Sequence, residues 1–473
     1  MKNQNEGNTR YNISSLEIMC VGTELLMGQI INTNAAFLAR ELTLTGIPSF
    51  YQTVVGDNPQ RLENAIKEAL KRSDAIILTG GLGPTFDDIT MEIAAKAVGL
   101  ALEFHEESAD LIKSYFDKMH RVMSPSNLKQ AMLPTGCIPL PNQNGTAPGA
   151  IIEIDISEDS VIKKKVLILL PGPPSEMRGM YDPYVKPYLI NRAPVEIHSL
   201  FVRLFGIGES AAETVLKDLI ESQTNPTMAP YCSEGECMFR ISSTKQKKYT
   251  ESFSSESLNE KQGEFENATR ISQETAEDDL SNPTETPGEF KDILRTVQDR
   301  LGEYIYEIGD RNMQKVVFDL LDQSHVTVSF AESCTAGLAT SMIGDIPGAS
   351  RVLRGSVIAY NNEIKQTVLG LSEKILDKFG AVSKETALEM AKGCKDIMKS
   401  DYSVSITGIA GPDGGTDIKQ VGLVYICISG PFSDEIKELH LTGSRSRIRT
   451  IASLNAYDLL RRTVLDDRQR KNG

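Results

Sequence analysis

The chain has 473 residues, 40% of them hydrophobic and 24% charged, with a formal charge of −14. That length exceeds a single core, so two or three domains are expected, and the acid excess argues against nucleic-acid binding as the main business. No run approaches the ~18 apolar residues of a membrane span, and the polar start, MKNQNEGNTRYN, lacks a signal core. The seven cysteines, without framework spacing, point to reduced thiols in the cytoplasm. Cys232 and Cys237 have four residues between them, not the two of a CxxC pair, and no second pair completes a zinc site.

Residues 1–14 read as a disordered tail. Leu16–Gly22 reads as a strand, and Asn34–Leu44 as an amphipathic helix with Ala35, Leu38, Ala39 and Leu42 on one face. Strand Pro48–Val55, helix Pro59–Lys71 and strand Asp74–Thr79 follow. This βαβαβ rhythm predicts an α/β domain over 15–190, a parallel sheet covered by helices with ligands at the carboxyl ends of strands. Val166–Leu170 is a further buried strand, ending in Pro171–Met177. Residues 191–310 read as a small α+β linking module, with strands at 198–205 and 236–241. It carries a Ser/Glu/Asn/Thr-rich acidic insertion, 245–289, that is disordered by composition. A second α/β domain fills 311–473: helix Met313–Asp322, strands His325–Phe330, Val404–Ile406 and Gly422–Ile428, and a closing helix Ile448–Arg461. No internal repeat is visible.

Two loops in the first domain follow strand ends. One is Gly22-Thr23-Glu24, with Asn34 beyond it. The other is Gly80-Gly81-Leu82-Gly83-Pro84-Thr85, followed by Asp87 and Asp88. The glycines let backbone amides approach a phosphate. Asp87 and Asp88 offer hard oxygens to Mg²⁺ or a similar ion, or bind a ring or ribose; Asp88 can equally cap the helix that follows.

In the last domain, Phe330-Ala331-Glu332-Ser333-Cys334-Thr335-Ala336-Gly337 places Ser333 on a strand-to-helix turn. There the helix-end amides are expected to hold an anion or developing oxyanion. None of the five histidines (105, 120, 198, 325 and 440) shares a loop with these signatures. A buried lysine of lowered pKa can deprotonate a serine instead. Lys365 is the candidate base, and Tyr360 can relay or orient the proton. Cys334 is a competing nucleophile. After Thr407, the loop Gly408-Ile409-Ala410-Gly411-Pro412-Asp413-Gly414-Gly415 can hold a phosphate or oxyanion, and Arg445 and Arg449 are fork-like partners for a 5′-phosphate.

Gly22–Leu26, Gly80–Thr90, Asn144–Gly149 and Pro171–Met177 together resemble the molybdopterin-binding fold, and more closely the N-terminal domain of the CinA family (competence/damage-inducible protein A). Ala331–Thr335, Gly355–Lys365 and Thr407–Gly415 resemble the C-terminal domain of that family, which is similar to the nicotinamide-nucleotide amidohydrolases. The resemblance implies a bifunctional pyridine-nucleotide salvage enzyme. Its C-terminal domain would hydrolyse nicotinamide mononucleotide (NMN) to nicotinate mononucleotide and ammonia through a Ser333 acyl-enzyme, without a cofactor. Lys365 would be the base, Tyr360 would assist, and Thr335, Thr407, Gly408, Gly411, Gly414, Gly415, Arg445 and Arg449 would bind substrate. The N-terminal domain would cleave ADP-ribose to AMP and ribose 5-phosphate. Gly22, Thr23, Asn34, Gly80, Gly81, Gly83 and Thr85 would hold the nucleotide, and Glu24, Asp87 and Asp88 a divalent metal such as Mg²⁺. A homodimer, with neither nucleic acid nor membrane as partner, is implied as well. The alternative is a non-catalytic nucleotide- or molybdopterin-binding adaptor linked to competence or DNA damage. The chain departs from the family pattern at Thr23 (usually Asp), Ala336 (usually Gly), Gln420 (usually Pro) and the acidic insertion.

Overall fold

The computed structural model describes residues 12–158, 161–233, 235–247 and 288–472, which divide into two compact units. One holds residues 12–199 with 243–247, the other residues 200–242 with 288–472.

In the first unit the apolar runs form strands β1 (Leu16–Val21), β2 (Ser49–Val55), β3 (Ala75–Thr79), β4 (Leu102–Phe104), β5 (Met132–Pro134), β6 (Ile138–Leu140), β7 (Gly149–Glu158) and β8 (Val161–Leu170). Six of them make one sheet in the order β2-β1-β3-β8-β7-β6. The first four run parallel. β7 and β6 add antiparallel, which the βαβ reading did not foresee. Alternation along β1 explains the layers. Leu16, Ile18 and Cys20 pack with helices Thr33–Thr45 and Lys186–Arg192 on one face. Met19 and Val21 pack with helices Pro59–Arg72 and Thr90–Ala97 on the other. The strand–helix boundaries follow local chemistry: Asn32 and Asn58 accept the amides of Ala35 and Arg61, and Gly46 ends its helix at φ +81°.

The polar start is not all tail. Ile13 is fully buried in the first core, its amide bonds the Arg192 carbonyl, and the amides of Ser14 and Ser15 bond Asp74. The part of the predicted tail before residue 12 lies outside the described residues.

The linking module is a sheet β10-β11-β9-β12, built from β9 (Val195–Phe205), β10 (Thr227–Ser233), β11 (Glu236–Gln246) and β12 (Ile305–Ile308). Leu200, Val202, Leu204, Phe239 and Ile241 close on Leu294 and Val297 of helix Lys291–Leu301. The predicted disordered insertion begins too early and ends too late. β11 runs through Gln246, and Phe290, in a turn of 3₁₀ helix, is buried. Residues 248–287 lie outside the described residues.

The last five strands, β13 (Val328–Glu332), β14 (Leu353–Ile358), β15 (Tyr402–Gly408), β16 (Leu423–Ser429) and β17 (Asp434–His440), form the sheet β14-β13-β15-β16-β17. β13 runs parallel to both its neighbours, and β16 and β17 are antiparallel additions. Val328, Phe330, Val404 and Ile406 pack with helices Met313–Gln323 and Arg445–Asn472. The closing helix is longer than its apolar pattern suggests, and it starts at Arg445. No helix among the described residues is long and apolar enough to cross a membrane.

Glu17, the second residue of β1, is fully buried and accepts from Arg72 Nε (2.9 Å) and Nη2 (2.8 Å) and from Thr53 Oγ1 (2.6 Å). Removing one partner of such a pair leaves an uncompensated charge. The Arg72 side chain is 41% exposed, so Arg72→Ala is expected to cost less than breaking a fully buried pair, about 2 kcal/mol, read as a lower urea midpoint for the first unit. The double variant Glu17→Gln/Arg72→Met is expected to recover most of the loss.

Candidate functional site

β13 ends at Glu332, and Ser333 is the first residue past it. The Ser333 amide is tied to the Ile406 carbonyl of β15 (2.9 Å), which fixes the nucleophile candidate at the carboxyl end of the parallel strands. The chain then turns through Ala336 (φ +51°) and Gly337 (φ +87°) into helix Leu338–Gly344. Ser333 does not cap that helix, and the helix-end amides are not open to an oxyanion as expected. The buried Glu332 carboxylate accepts from the amides of Ala339 (3.2 Å) and Thr340 (2.8 Å) and from Thr340 Oγ1 (2.6 Å). The amides of Cys334 and Thr335, like that of Gly337, make no backbone hydrogen bond among the described residues, and the first two directly follow Ser333 in the chain.

Lys365 sits on the short helix Asn362–Thr367, capped by Asn361, whose Oδ1 accepts the Ile364 amide. Its side chain is only 1% exposed. Nζ stands 3.2 Å from Ser333 Oγ and donates to the carbonyls of Ala359 (2.7 Å) and Tyr360 (3.4 Å). Burial lowers its pKa from 10.5 to about 8. A serine hydroxyl and an amine that readily gives up its proton are thus in contact, as nucleophilic catalysis requires. Burial pushes the Cys334 thiol up to about 12, which disfavours the thiolate that would compete with Ser333.

The other predicted residues divide by role. The Tyr360 hydroxyl accepts Arg445 Nη2 (2.7 Å), and the Tyr360 carbonyl accepts from Lys365 Nζ. No hydrogen bond joins that hydroxyl to Ser333 or to Lys365 Nζ among the described residues. Arg445 Nη1 also holds the Gly411 carbonyl (2.8 Å), and Arg449 forks onto the Thr335 carbonyl through Nε (3.2 Å) and Nη2 (2.6 Å). Both guanidiniums brace the two loops over the site. The Thr407 hydroxyl is spent on the Ala381 carbonyl (2.7 Å), while the fully buried Thr335 Oγ1 has no hydrogen-bond partner among the described residues. Gly408 and Gly411 are needed sterically. A Cβ on Gly408 would meet the Leu423 carbonyl at 2.7 Å, and one on Gly411 would meet Val421 at 2.6 Å. Gly414 (φ +90°) and Gly415 continue the loop. Lys419, which the sequence did not mark, straps the loop by donating to the Phe379 (2.6 Å) and Val382 (2.7 Å) carbonyls.

In the first unit the ends of β1, β3 and β8 open into a cleft of about 570 Å³ lined by Gly22, Glu24, Asn34, Gly80, Gly81, Gly83, Asp87 and Asp88. Thr23 and Thr85 do not line it. Thr23 exchanges hydrogen bonds with Asp57, and the Thr85 hydroxyl bonds both Asp87 and Asp88. Asp88 also accepts the Thr85 amide (2.8 Å) rather than capping the next helix. Gly80 and Gly81 have φ of +106° and +69°, and a Cβ on Gly80 would fall 2.2 Å from the Val21 carbonyl. Among the described residues no three His, Cys, Asp or Glu side chains gather as a metal cage. Glu24, whose carboxylate folds back over Gly22, therefore does not complete a set with Asp87 and Asp88. The sequence reading missed Glu176, which lines this cleft, accepts Asn142 Nδ2 (2.7 Å) and has its pKa raised by burial. It also missed Gln130, whose buried Oε1 has no partner.

Family models match residues 17–191 (probable molybdopterin binding domain), 199–256 (damage-inducible protein CinA KH domain) and 310–464 (CinA C-terminal domain). A CinA-like protein of Dictyoglomus thermophilum is 43% identical over 452 residues, covering 95% of this chain and 99% of that protein. A putative competence-damage inducible protein of Acetivibrio thermocellus is 41% identical over 452 residues, covering 95% and 98%. The chain belongs to the CinA family. Solved CinA-family structures from Thermoplasma acidophilum (36% identical, 37% of this chain and 98% of that one, TM-score 0.32) and Agrobacterium tumefaciens (33% identical, 31% and 91%, TM-score 0.31) are also similar. The CinA KH model, residues 199–256, thus falls within the linking module, read from sequence only as α+β; helix Lys291–Leu301 and β12 lie beyond it.

Ala336, where the family usually has Gly, is exposed, so its methyl crowds nothing; the strain is in its left-handed backbone. Ala336→Gly is expected to leave the Ser333–Lys365 contact intact and to change stability by no more than about 1 kcal/mol. Ala336→Val is expected to destabilise, and thermal denaturation of both variants checks this. Lys365 has a second consequence. Its folded pKa, about 8, lies below the unfolded value of 10.5, so the cost of burying the charged amine is fully present below pH 8. That cost is relieved as pH rises from 8 towards 10.5. The difference in thermal midpoint, Lys365→Met minus parent, is therefore expected to be more positive at pH 7 than at pH 10.

Proposed function

We propose that the last domain of this CinA-family chain is a metal-independent serine amidohydrolase acting on NMN. The observation that carries it is the buried Lys365 Nζ, 3.2 Å from Ser333 Oγ and depressed to about 8. Lys365 in its neutral form takes the proton as Ser333 Oγ bonds to the carboxamide carbon. The negative oxygen so formed is stabilised by the free amides of Cys334 and Thr335. Lys365 returns the proton to the leaving nitrogen, ammonia departs, and water cleaves the Ser333 ester to give nicotinate mononucleotide. The arginine-braced loops, with Gly411, Gly414 and Gly415, are where the phosphate-bearing part of the substrate would lie, an entering phosphate exchanging for the Tyr360 hydroxyl on Arg445.

The molybdopterin-binding-like first domain we read as an ADP-ribose pyrophosphatase. The glycine backbone at 80–83 would take the diphosphate, and Asp87 and Asp88, drawn together by Thr85, would hold Mg²⁺. Two carboxylates suffice for Mg²⁺ only when phosphate oxygens and water complete its shell, so the residues fit the ion together with a phosphate ligand rather than alone. The competing reading, molybdopterin binding without catalysis, rests on the family model of this domain.

Purified protein is expected to release ammonia from NMN equally in EDTA and in Mg²⁺. Ser333→Ala and Lys365→Met are expected to reduce this by at least ~10²-fold, and Cys334→Ala to leave it unchanged. The acid limb of kcat/KM is expected near the Lys365 pKa of about 8. A parent protein that makes no ammonia sinks the amidase reading. In the first domain, AMP formation from ADP-ribose is expected to need Mg²⁺ and to fall on Asp88→Asn. Displacement of ADP-ribose by molybdopterin with no AMP formed under any condition would favour the adaptor.

A further inference from the structure

In the hairpin β10–β11, Cys232 stands directly opposite Cys237, and Ser233 opposite Glu236 beside the turn. Gly235, in that turn, has φ +88°. In a two-residue hairpin the pair flanking the turn exchanges both ladder hydrogen bonds. The next pair out is then of the non-hydrogen-bonded kind, with Cα atoms about 4.5 Å apart and side chains close on one face. That separation is one a disulfide spans. The two sulfurs are already 3.5 Å apart, with the Cys232 thiol donating to Cys237 Sγ. Access differs between them: Cys232 is exposed and Cys237 is buried. The other five cysteines make no such pair among the described residues; Cys394, for example, bonds Ser329 Oγ and the Phe330 carbonyl.

We propose that Cys232 and Cys237 form a dithiol–disulfide modification site that exchanges with small-molecule disulfides of the glutathione type. Cys232, as thiolate, attacks one sulfur of the oxidised molecule; the sulfur–sulfur bond breaks and one thiolate leaves. Cys237, on losing its proton, attacks Cys232 Sγ of the mixed disulfide and expels the second. Two protein thiols are oxidised, one small disulfide is reduced to two thiols, and the two protons lost by the protein end on them. Attack begins at Cys232 because it is the accessible sulfur. Burial pushes the Cys237 thiol up to about 12, with the neighbouring Cys232 and Glu209 adding to the shift. The new bond fastens a tip that is already seated. A Cβ on Gly235 would touch Leu454 (3.3 Å) and Ile451 (3.4 Å) of helix Arg445–Asn472, and Tyr306 donates its hydroxyl to Glu236 (2.5 Å).

The test uses the full chain with excess oxidised glutathione at mildly alkaline pH, acid quench, alkylation, intact mass and peptide mapping. The parent is expected to lose two hydrogens, yield a Cys232–Cys237 cross-linked peptide and retain no glutathione. Cys237→Ser and Cys237→Ala are expected to keep one glutathione on Cys232, and Cys232→Ser to show neither product, each with a circular dichroism spectrum like the parent's. A parent that keeps glutathione on Cys232, links Cys232 to a different cysteine, or leaves both thiols free for alkylation overturns the proposal.

Discussion

A lysine amine held out of water is the constraint from which the chemistry of the last domain follows. Lys365 can be buried only because carbonyl oxygens meet its Nζ, and those oxygens are fixed by the sheet. The parallel register of β13 and β14 ends at Glu332 opposite Ile358, and the Ala359 amide carries it one step further by bonding the Glu332 carbonyl (2.8 Å). The Ala359 carbonyl that receives Nζ and the residue preceding Ser333 are therefore held by one hydrogen bond. Burial and this fixed contact together lower the amine's proton affinity and aim it at a hydroxyl, which a solvated lysine could do neither of.

Around that contact, charge is used to hold backbone in place. Glu332 satisfies the orphan amides of the helix after the nucleophile, so the Ser333 hydroxyl is not spent on capping and meets Lys365 instead. Arg445 and Arg449 each reach from the first turns of one long helix onto a carbonyl of a different loop, Gly411 and Thr335. A guanidinium suits this task because its planar fork donates several bonds from one rigid group. The loops that would embrace a substrate are thereby tied to the long helix Arg445–Asn472.

The first unit solves a different problem with a similar sheet. Its cleft is built from backbone that only glycine allows and from polar groups left unpaired. Asn34 donates to Thr79 Oγ1 and the Gly172 carbonyl but leaves Oδ1 without a donor, and Gln130 Oε1 is in the same state. Buried acceptors without partners are costly in a folded protein, and here they border a cleft where a ligand's N–H or O–H groups can meet them.

Much of this was legible in the chain. Short apolar runs at Leu16–Val21 and Val166–Leu170 reported buried strands, because a run of that length and composition is a local property of the chain. The strand-to-turn placement of Ser333 and the glycine loops could be read for the same reason: positive φ and tight approach select glycine wherever they occur. The sequence also brought Ser333 and Lys365 forward as nucleophile and base. What it could not supply was partnership across the fold. Whether an arginine meets a phosphate or a carbonyl, whether Tyr360 turns inward or towards Arg445, and whether Glu332 or Ser333 caps a helix depend on residues up to 114 positions apart. The charged edge strand β17 and the burial of Ile13 were hidden likewise, since polar neighbours mask a segment whose place is set by register with a distant partner. Residue types and local backbone preferences are written in sequence; the burial that shifts Lys365 and the hydrogen bonds that occupy Arg445, Arg449 and Thr407 exist only once the sheet has closed around them.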